Sequence, residues 1–363
     1  VTRLDRHTGT ALTANGTQLA LQSAGVTLDE GWSPYVQATL TASIPDDLDG
    51  LNPLDDDRVQ VTLTQSFTAS QPVSAMSAAW AGEKLSGLAG TYATVAHMSA
   101  QFGLSLNTIP IPATTRTFLL GIRSRTIDHL AGTMVLTLAS DEARAQDAKR
   151  LSTVALAPFT RSLHQAVQFG LATIGASVII NAPDFVLEVD ATEWLPGVSV
   201  WDWLAPMVQA AGYRLFSDER GVWRLTTSPY EPGGTLELSP STGLIQSPET
   251  ISRESDWYDG TVIEYTGDGF PRYDIAAVGF SRTRLLSLPT RYPGPGAAAA
   301  VNQRNLARGI TLSPRAVSNY DATPGQALTV ELPGIYNRSG FLSAVSFALP
   351  DSVMTVTPRD ITN

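Results

Sequence analysis

Residues 201–226, WDWLAPMVQAAGYRLFSDERGVWRLT, constrain the fold of this chain more than any other stretch. Trp201, Leu204, Val208 and Ala211 recur at helical spacing, and Gly212 stands where a C-terminal cap belongs. Tyr213–Phe216 and Val222–Leu225 then alternate as two half-buried strands around the turn 217–221. A helix stopped by glycine and returned as a hairpin is a building element. It displays no group suited to catalysis.

A chain of 363 residues exceeds what one hydrophobic core usually serves, so two or three domains are expected. Charged residues make up only 16% and hydrophobic residues 43%, which suits a protein that folds and then spends its life against other subunits. The net charge of −10 opposes wrapping nucleic acid, which requires a cationic face. With no cysteine, disulfides, thiolate catalysis and zinc–sulfur sites all drop out. No apolar run has the length of a membrane span, so no membrane insertion by this chain is expected.

From Gln18 to about Ser140 the pattern is mainly β, in LALQSAGVTL, YVQATLTASI, RVQVTLTQSF and GTMVLTLAS. Between Phe67 and Pro112 it gives way to Ala, Ser, Gly and Thr with scattered large apolar residues. That reads as a long excursion from a barrel. Short helices are expected at 143–150 and 157–173, and short strands at Ser177–Asn181 and Phe185–Val189. After Pro229 the β pattern returns, interrupted by one helix at about Ala297–Arg308. The expected fold is mainly β with a small α+β insert. It divides into a first barrel at 1–150 carrying the 67–112 excursion, an α+β middle domain at 151–228, and a second barrel at 229–363.

The candidate constellations weigh toward bland readings. His7, His97, His129 and His164 are far apart and lack a ligand one helical turn away, so no metal site is expected. No nucleophile elbow, Walker loop or dinucleotide fingerprint occurs. Asp46, Asp47, Asp49 and the triplet Asp55–Asp57 fit no calcium loop and read as a solvated turn. Glu188, Asp190 and Glu193 lie near Trp194, the proximity that a glycosidase pair requires, yet the segment reads better as a loop feeding the Trp201 helix. Neither catalytic residues nor a cofactor are expected. The partner-contact candidates are Trp80, Met76, Met98 and Phe102, large apolar side chains in a background too poor to build its own core.

Four segments in this order resemble the tail-tip or baseplate hub proteins of phages, in particular the minor tail proteins of siphophages of actinobacteria. LDEGWSPYVQATLTASIP at 28–45 resembles their opening motif. RVQVTLTQSF with TRTFLLGIRSRTIDHLAGTMVLTLAS resembles the first hub barrel. WDWLAPMVQAAGYRLFSDERGVWRL resembles the middle module, and DATPGQALTVELPGIYNRSGFLSAVSFALPDSVMTVTPRD the closing barrel. The resemblance implies two tube-protein-like barrels in one chain, so that a homotrimer presents six barrels. It implies a structural virion protein at the distal tail tip, assembled in the host cytoplasm. That protein would close the tail tube, contact the distal tail and tape measure proteins, anchor other tip proteins, and open for genome ejection. Viral DNA would pass an acidic lumen without specific binding. Two other classes stay open: a glycan-active or glycan-binding cell-wall protein, and the neighbouring distal tail protein, which would lack the duplicated barrel.

Overall fold

The computed structural model describes residues 4–69, 109–252, 257–267, 269–306, 310–332 and 337–362. The first region builds β1 (Leu4–Thr13), β2 (Gln18–Leu19), β3 (Leu21–Asp29), β4 (Val36–Ser43), β5 (Arg58–Ala69), β6 (Ile109–Asp128) and β7 (Thr133–Ala139). Alternation sends Val26 and Leu28, Leu40 and Ala42, Val59 and Val61, and Met134 and Leu136 into one core while their neighbours face outward. Only Ala20 separates β2 from β3. β2 pairs β1 and β3 pairs β4, so the order β1-β5-β6-β7-β4-β3/β2 closes on itself as a barrel. Pairing also runs into the ends of the expected excursion, with Phe67 opposite Ile111 and Ala69 opposite Ile109. The segment carried by this hairpin is therefore 70–108. Trp80, Met76, Met98 and Phe102 lie outside the described residues.

The middle region contains α1 (Glu142–Asp147), α2 (Leu163–Ala172), β8 (Val178–Ile180), α3 (Val200–Ala210), β9 (Tyr213–Ser217) and β10 (Trp223–Thr227). Ser199 caps α3 by accepting the Asp202 N–H at 3.0 Å, and Gly212 ends it at φ 67°. Trp194, Trp203 and Trp223 are buried in a separate core. The indoles of Trp194 and Trp203 are stacked 4.7 Å apart, and Trp194 donates Nε1–H to Val198 O at 2.9 Å. Phe185–Val189, expected as a strand, makes only an isolated bridge from Val186 to Ser162 and leaves Val186 and Val189 exposed. Alternation there had no neighbouring strand to satisfy.

The last region contains β11 (Thr235–Leu238), β12 (Leu244–Gln246), β13 (Glu249–Ile251), β14 (Gly260–Tyr265), β15 (Arg272–Ala277), β16 (Thr283–Leu288), α4 (Ala297–Leu306), β17 (Ile310–Leu312), β18 (Arg315–Val317), β19 (Ala327–Glu331), β20 (Asn337–Leu349) and β21 (Val353–Thr362). It is not one barrel in sequence. β15-β14-β16 form their own three-stranded sheet, with Ile263 and Tyr265 buried beside Ala297 and Ala298 of α4 in a third core. Around this module β13 and β17 pair with each other as a two-stranded sheet, and the remaining strands belong to the large 13-stranded sheet, through β12-β18-β21-β20, with β19 on β20 and β11 on β19.

These flanking strands repeat the first region. The order β5-β6-β7-β4-β3 recurs as β19-β20-β21-β18-β12. Gly121 opposite Ala139 recurs as Phe341 opposite Arg359, and Asp128 opposite Thr133 as Ala348 opposite Val353. The irregularity at Ile122/Ser124 recurs at Leu342/Ala344, and that at Leu21/Ser23 at Leu244/Gln246. Even single bonds repeat: Ile122 N–H donates to Asp57 O at 2.9 Å, and Leu342 N–H to Gln326 O at 2.8 Å. One departure is that β1 runs antiparallel to β5 whereas β11 runs parallel to β19. The two units are joined edge to edge, β3 pairing β20 antiparallel from Ala24–Leu349 to Asp29–Ala344.

Candidate functional site

The residue types that would carry chemistry are engaged in structure. Glu193 forms an ion pair with Arg291, tying the middle region to the module of β14–β16. Asp190 O accepts the Glu193 N–H in a turn, and the Glu188 side chain lies beside Gly294. His164 Nε2 lies 3.0 Å from Ala182 O, His7 Nδ1 lies 3.2 Å from the Tyr320 hydroxyl, and His129 is exposed. In the acidic loop, Asp57 accepts the Asn52 N–H at 2.7 Å, Asp47 accepts the Asp49 N–H at 2.8 Å, and Asp56 pairs with Arg144 at 2.9 Å. These carboxylates point to backbone and a guanidinium and do not converge. Among the described residues no group of three metal-ligating side chains comes together, and no helix is long and apolar enough to cross a membrane.

What the fold does assemble is a buried three-way junction. Arg116 of β6 is 8% exposed and donates to Tyr320 O at 3.1 Å and Ala322 O at 2.6 Å, with Glu219 of the middle hairpin at 3.3 Å. One guanidinium thus holds both β units and the middle region. The same hairpin accepts a backbone bond, Leu119 N–H to Glu219 O at 2.7 Å. Glu142 of α1 is buried and accepts the N–H of Tyr35 at 3.2 Å and of Ser217 at 3.0 Å. Burial pushes its carboxyl above the ordinary value, against the lowering by the hydrogen bonds that it accepts. Glu30 is raised for the same reason, opposed by Arg359, with which it is ion-paired, and by Arg214. Arg214 in turn lies over the rings of Tyr35 at 4.7 Å and Phe216 at 4.3 Å. Such a constellation fixes geometry and offers no nucleophile or proton relay to a substrate.

The other feature missed in the sequence is an open apolar sheet face. Val262 stands directly opposite Ile275 on one side and Leu285 on the other. α4 covers the reverse of that sheet, leaving Ile275 66% and Leu285 65% exposed beside Phe280 and Val278. β15 and β16 alternate as half-buried strands, and in the structure only the helix side is filled. Contiguous exposed apolar surface of this kind marks interaction sites.

No protein-family model and no curated protein matches the chain. Solved structures do. The tail protein from Neisseria meningitidis MC58 superposes with a TM-score of 0.58 at 13% identity, covering 98% of this chain and 97% of that one. The 43 kDa tail protein of prophage MuSo2 from Shewanella oneidensis superposes at 0.57 and 11%, covering 97% and 98%. The E. coli c3393 protein, a component of the type VI secretion system described as similar to T4 tail proteins gp27 and gp5, superposes at 0.52 and 11%, covering 96% of this chain and 75% of that one. At these identities the likeness is one of fold. It extends over 96% to 98% of this chain.

Proposed function

We propose that this chain is a structural tail protein, the hub that closes the distal end of a phage tail tube. One observation carries the reading: a single chain contains the same strand order and register twice, joined edge to edge. A duplicated barrel distinguishes a hub from a distal tail protein. With two barrel-like units per chain, a homotrimer presents six similar positions and matches a six-fold tube to a three-fold tip. The buried junction of Arg116, Glu142 and Glu30 holds the units as one rigid piece, as a load-carrying ring requires.

In this reading the division at 1–150, 151–228 and 229–363 has the two β-rich ends as the tube-like units. The chain is no enzyme and works without a cofactor. Its partners are the distal tail protein, the tape measure protein and further tip proteins, and DNA passes its lumen without sequence contacts. The excursion at 67–112, through Trp80, Met76, Met98 and Phe102, takes a partner or plugs the lumen. The host group, siphophages of actinobacteria, belongs to the same proposal, as does the role in genome ejection. Removal of residues 80–102 tests the partner role: ring formation is expected to persist while tip assembly stops, and loss of folding overturns it.

A further inference from the structure

The junction between the two units has both of its halves repeated, and among the described residues no strand occupies the repeats. Within the chain, the outer edge of β3 pairs the C-terminal half of β20: Val26 opposite Phe347, Thr27 opposite Ser346, Leu28 opposite Val345. Carrying the register across the repeat, the counterpart of β3 is the bent strand β12–β13, since Thr27 opposite Gln37 recurs as Thr250 opposite Thr311. The counterpart of that half of β20 is Ser124–Asp128 of β6. Among the described residues, no strand pairs the side of β12–β13 away from β17 and β18. None pairs the side of Arg123–Asp128 away from β7.

We propose that these two edges are an interface between copies of this chain: β12–β13 of one copy adds to the Ser124–Asp128 edge of the next, repeating the β3–β20 junction. The proposal rests on the hub reading above and gives its ring a residue-level contact. A donor edge and an acceptor edge at different places on one molecule make a head-to-tail contact, which closes into a ring when the rotation between copies closes and runs on as a filament when it does not. The register follows from the internal junction, Ile251 opposite Arg125, Thr250 opposite Thr126 and Glu249 opposite Ile127.

Three features support it. Thr27 donates Oγ1–H to the Ser346 hydroxyl at 3.0 Å across the internal junction, and the carried register sets a second hydroxyl pair, Thr250 and Thr126, in that place. Ile251 is 69% exposed where its counterpart Leu28 is fully buried in the core, so the second unit leaves uncovered a position that the first encloses. Pro248 does not interrupt the edge. Asp29 N–H points to the β4 side (to Tyr35 O) and Glu30 N–H to the β20 side (to Ser343 O). By alternation the outward donors of β3 are Val26 and Leu28, so those of β13 are Glu249 and Ile251.

The chain contains no cysteine, so Thr126→Cys and Thr250→Cys add the only thiols. They face each other as a non-hydrogen-bonded pair, where side chains approach closely enough for a disulfide. On oxidation at micromolar concentration, a mixture of the two single variants should give a disulfide-linked pair of chains. The double variant should give covalent closed oligomers, and either single variant alone should stay unlinked. A near-UV spectrum equal to that of the unsubstituted protein establishes that the variants are folded. If the unsubstituted chain sediments as an oligomer but the mixture does not link, the edge assignment is overturned and the ring survives. If one single variant links to itself as readily, the contact is two-fold and the proposal is overturned. If the unsubstituted chain is a monomer and nothing links, the ring reading falls with it.

Discussion

The two β units make the same ladder and end it differently. In the first, β3 continues from β2, which pairs β1, so the barrel closes, and the adjoining half of β3 is left to receive β20. In the second, β11 runs parallel to β19 and β12 begins after a short helical turn at Pro240–Thr242, and among the described residues no strand covers the same edge. Their extensions also fall on different hairpins. The first unit carries 70–108 between β5 and β6, where only 332–336 separate β19 from β20 in the second. The second carries 252–309 between β13 and β17, where the first turns at Glu30–Tyr35. The frame of pairing is shared. What differs is what each unit hangs on it and which edge it leaves open.

That comparison can be broken at the clamp between the units. Arg116→Ala strands the carbonyls of Tyr320 and Ala322 and the Glu219 carboxylate, and should cost about 3–5 kcal/mol in urea unfolding. A cost below about 1 kcal/mol means the units are not held there. Next comes the matched pair Leu28→Ala and Ile251→Ala, at equivalent positions of the two units. The first should cost about 2–5 kcal/mol and the second within about 0.5 kcal/mol for the separated chain. Equal costs contradict an open second edge. Gly212→Ala strains a left-handed backbone position in the middle region and should cost about 1–2 kcal/mol, leaving both units' cores unaffected.

The smallest effect is one of pH. The carboxyl of Glu142 is raised in the folded chain above its unfolded value, so the folded state holds that proton more tightly. The stability it contributes is complete below the unfolded value near 4.5 and is lost as pH rises through the folded value. Glu142→Gln removes this dependence while keeping an oxygen to accept from Tyr35 and Ser217. The difference in stability between variant and parent should therefore move in the variant's favour from pH 4 to pH 7, read from urea midpoints. A difference independent of pH contradicts a desolvated carboxylate at the junction.

Local structure was legible where the chain decides it locally. The helix, glycine stop and hairpin at 201–226 follow from spacing and one residue without a side chain, and the structure places α3, β9 and β10 there. The mainly β class with an α+β insert follows from alternation. The repeat was not legible, because alternation and a ladder irregularity accept many residues: Gly121 and Leu138 in one unit stand where Phe341 and Pro358 stand in the other. The module at β14–β16 was invisible for the same reason, its strands alternating like those around them while packing on α4. Arg116 and Glu142 gave no signal at all, since their partners are 204 and 107 residues away.

The account turns on one chain supplying two similar units to a closed ring, and the mass of the assembled particle in solution tests that most directly. Native mass spectrometry or sedimentation of the full chain should find three copies, six units arranged around one axis. A stable particle of six copies contradicts the account and points to a distal tail protein, and a chain that stays monomeric at micromolar concentration contradicts the ring altogether.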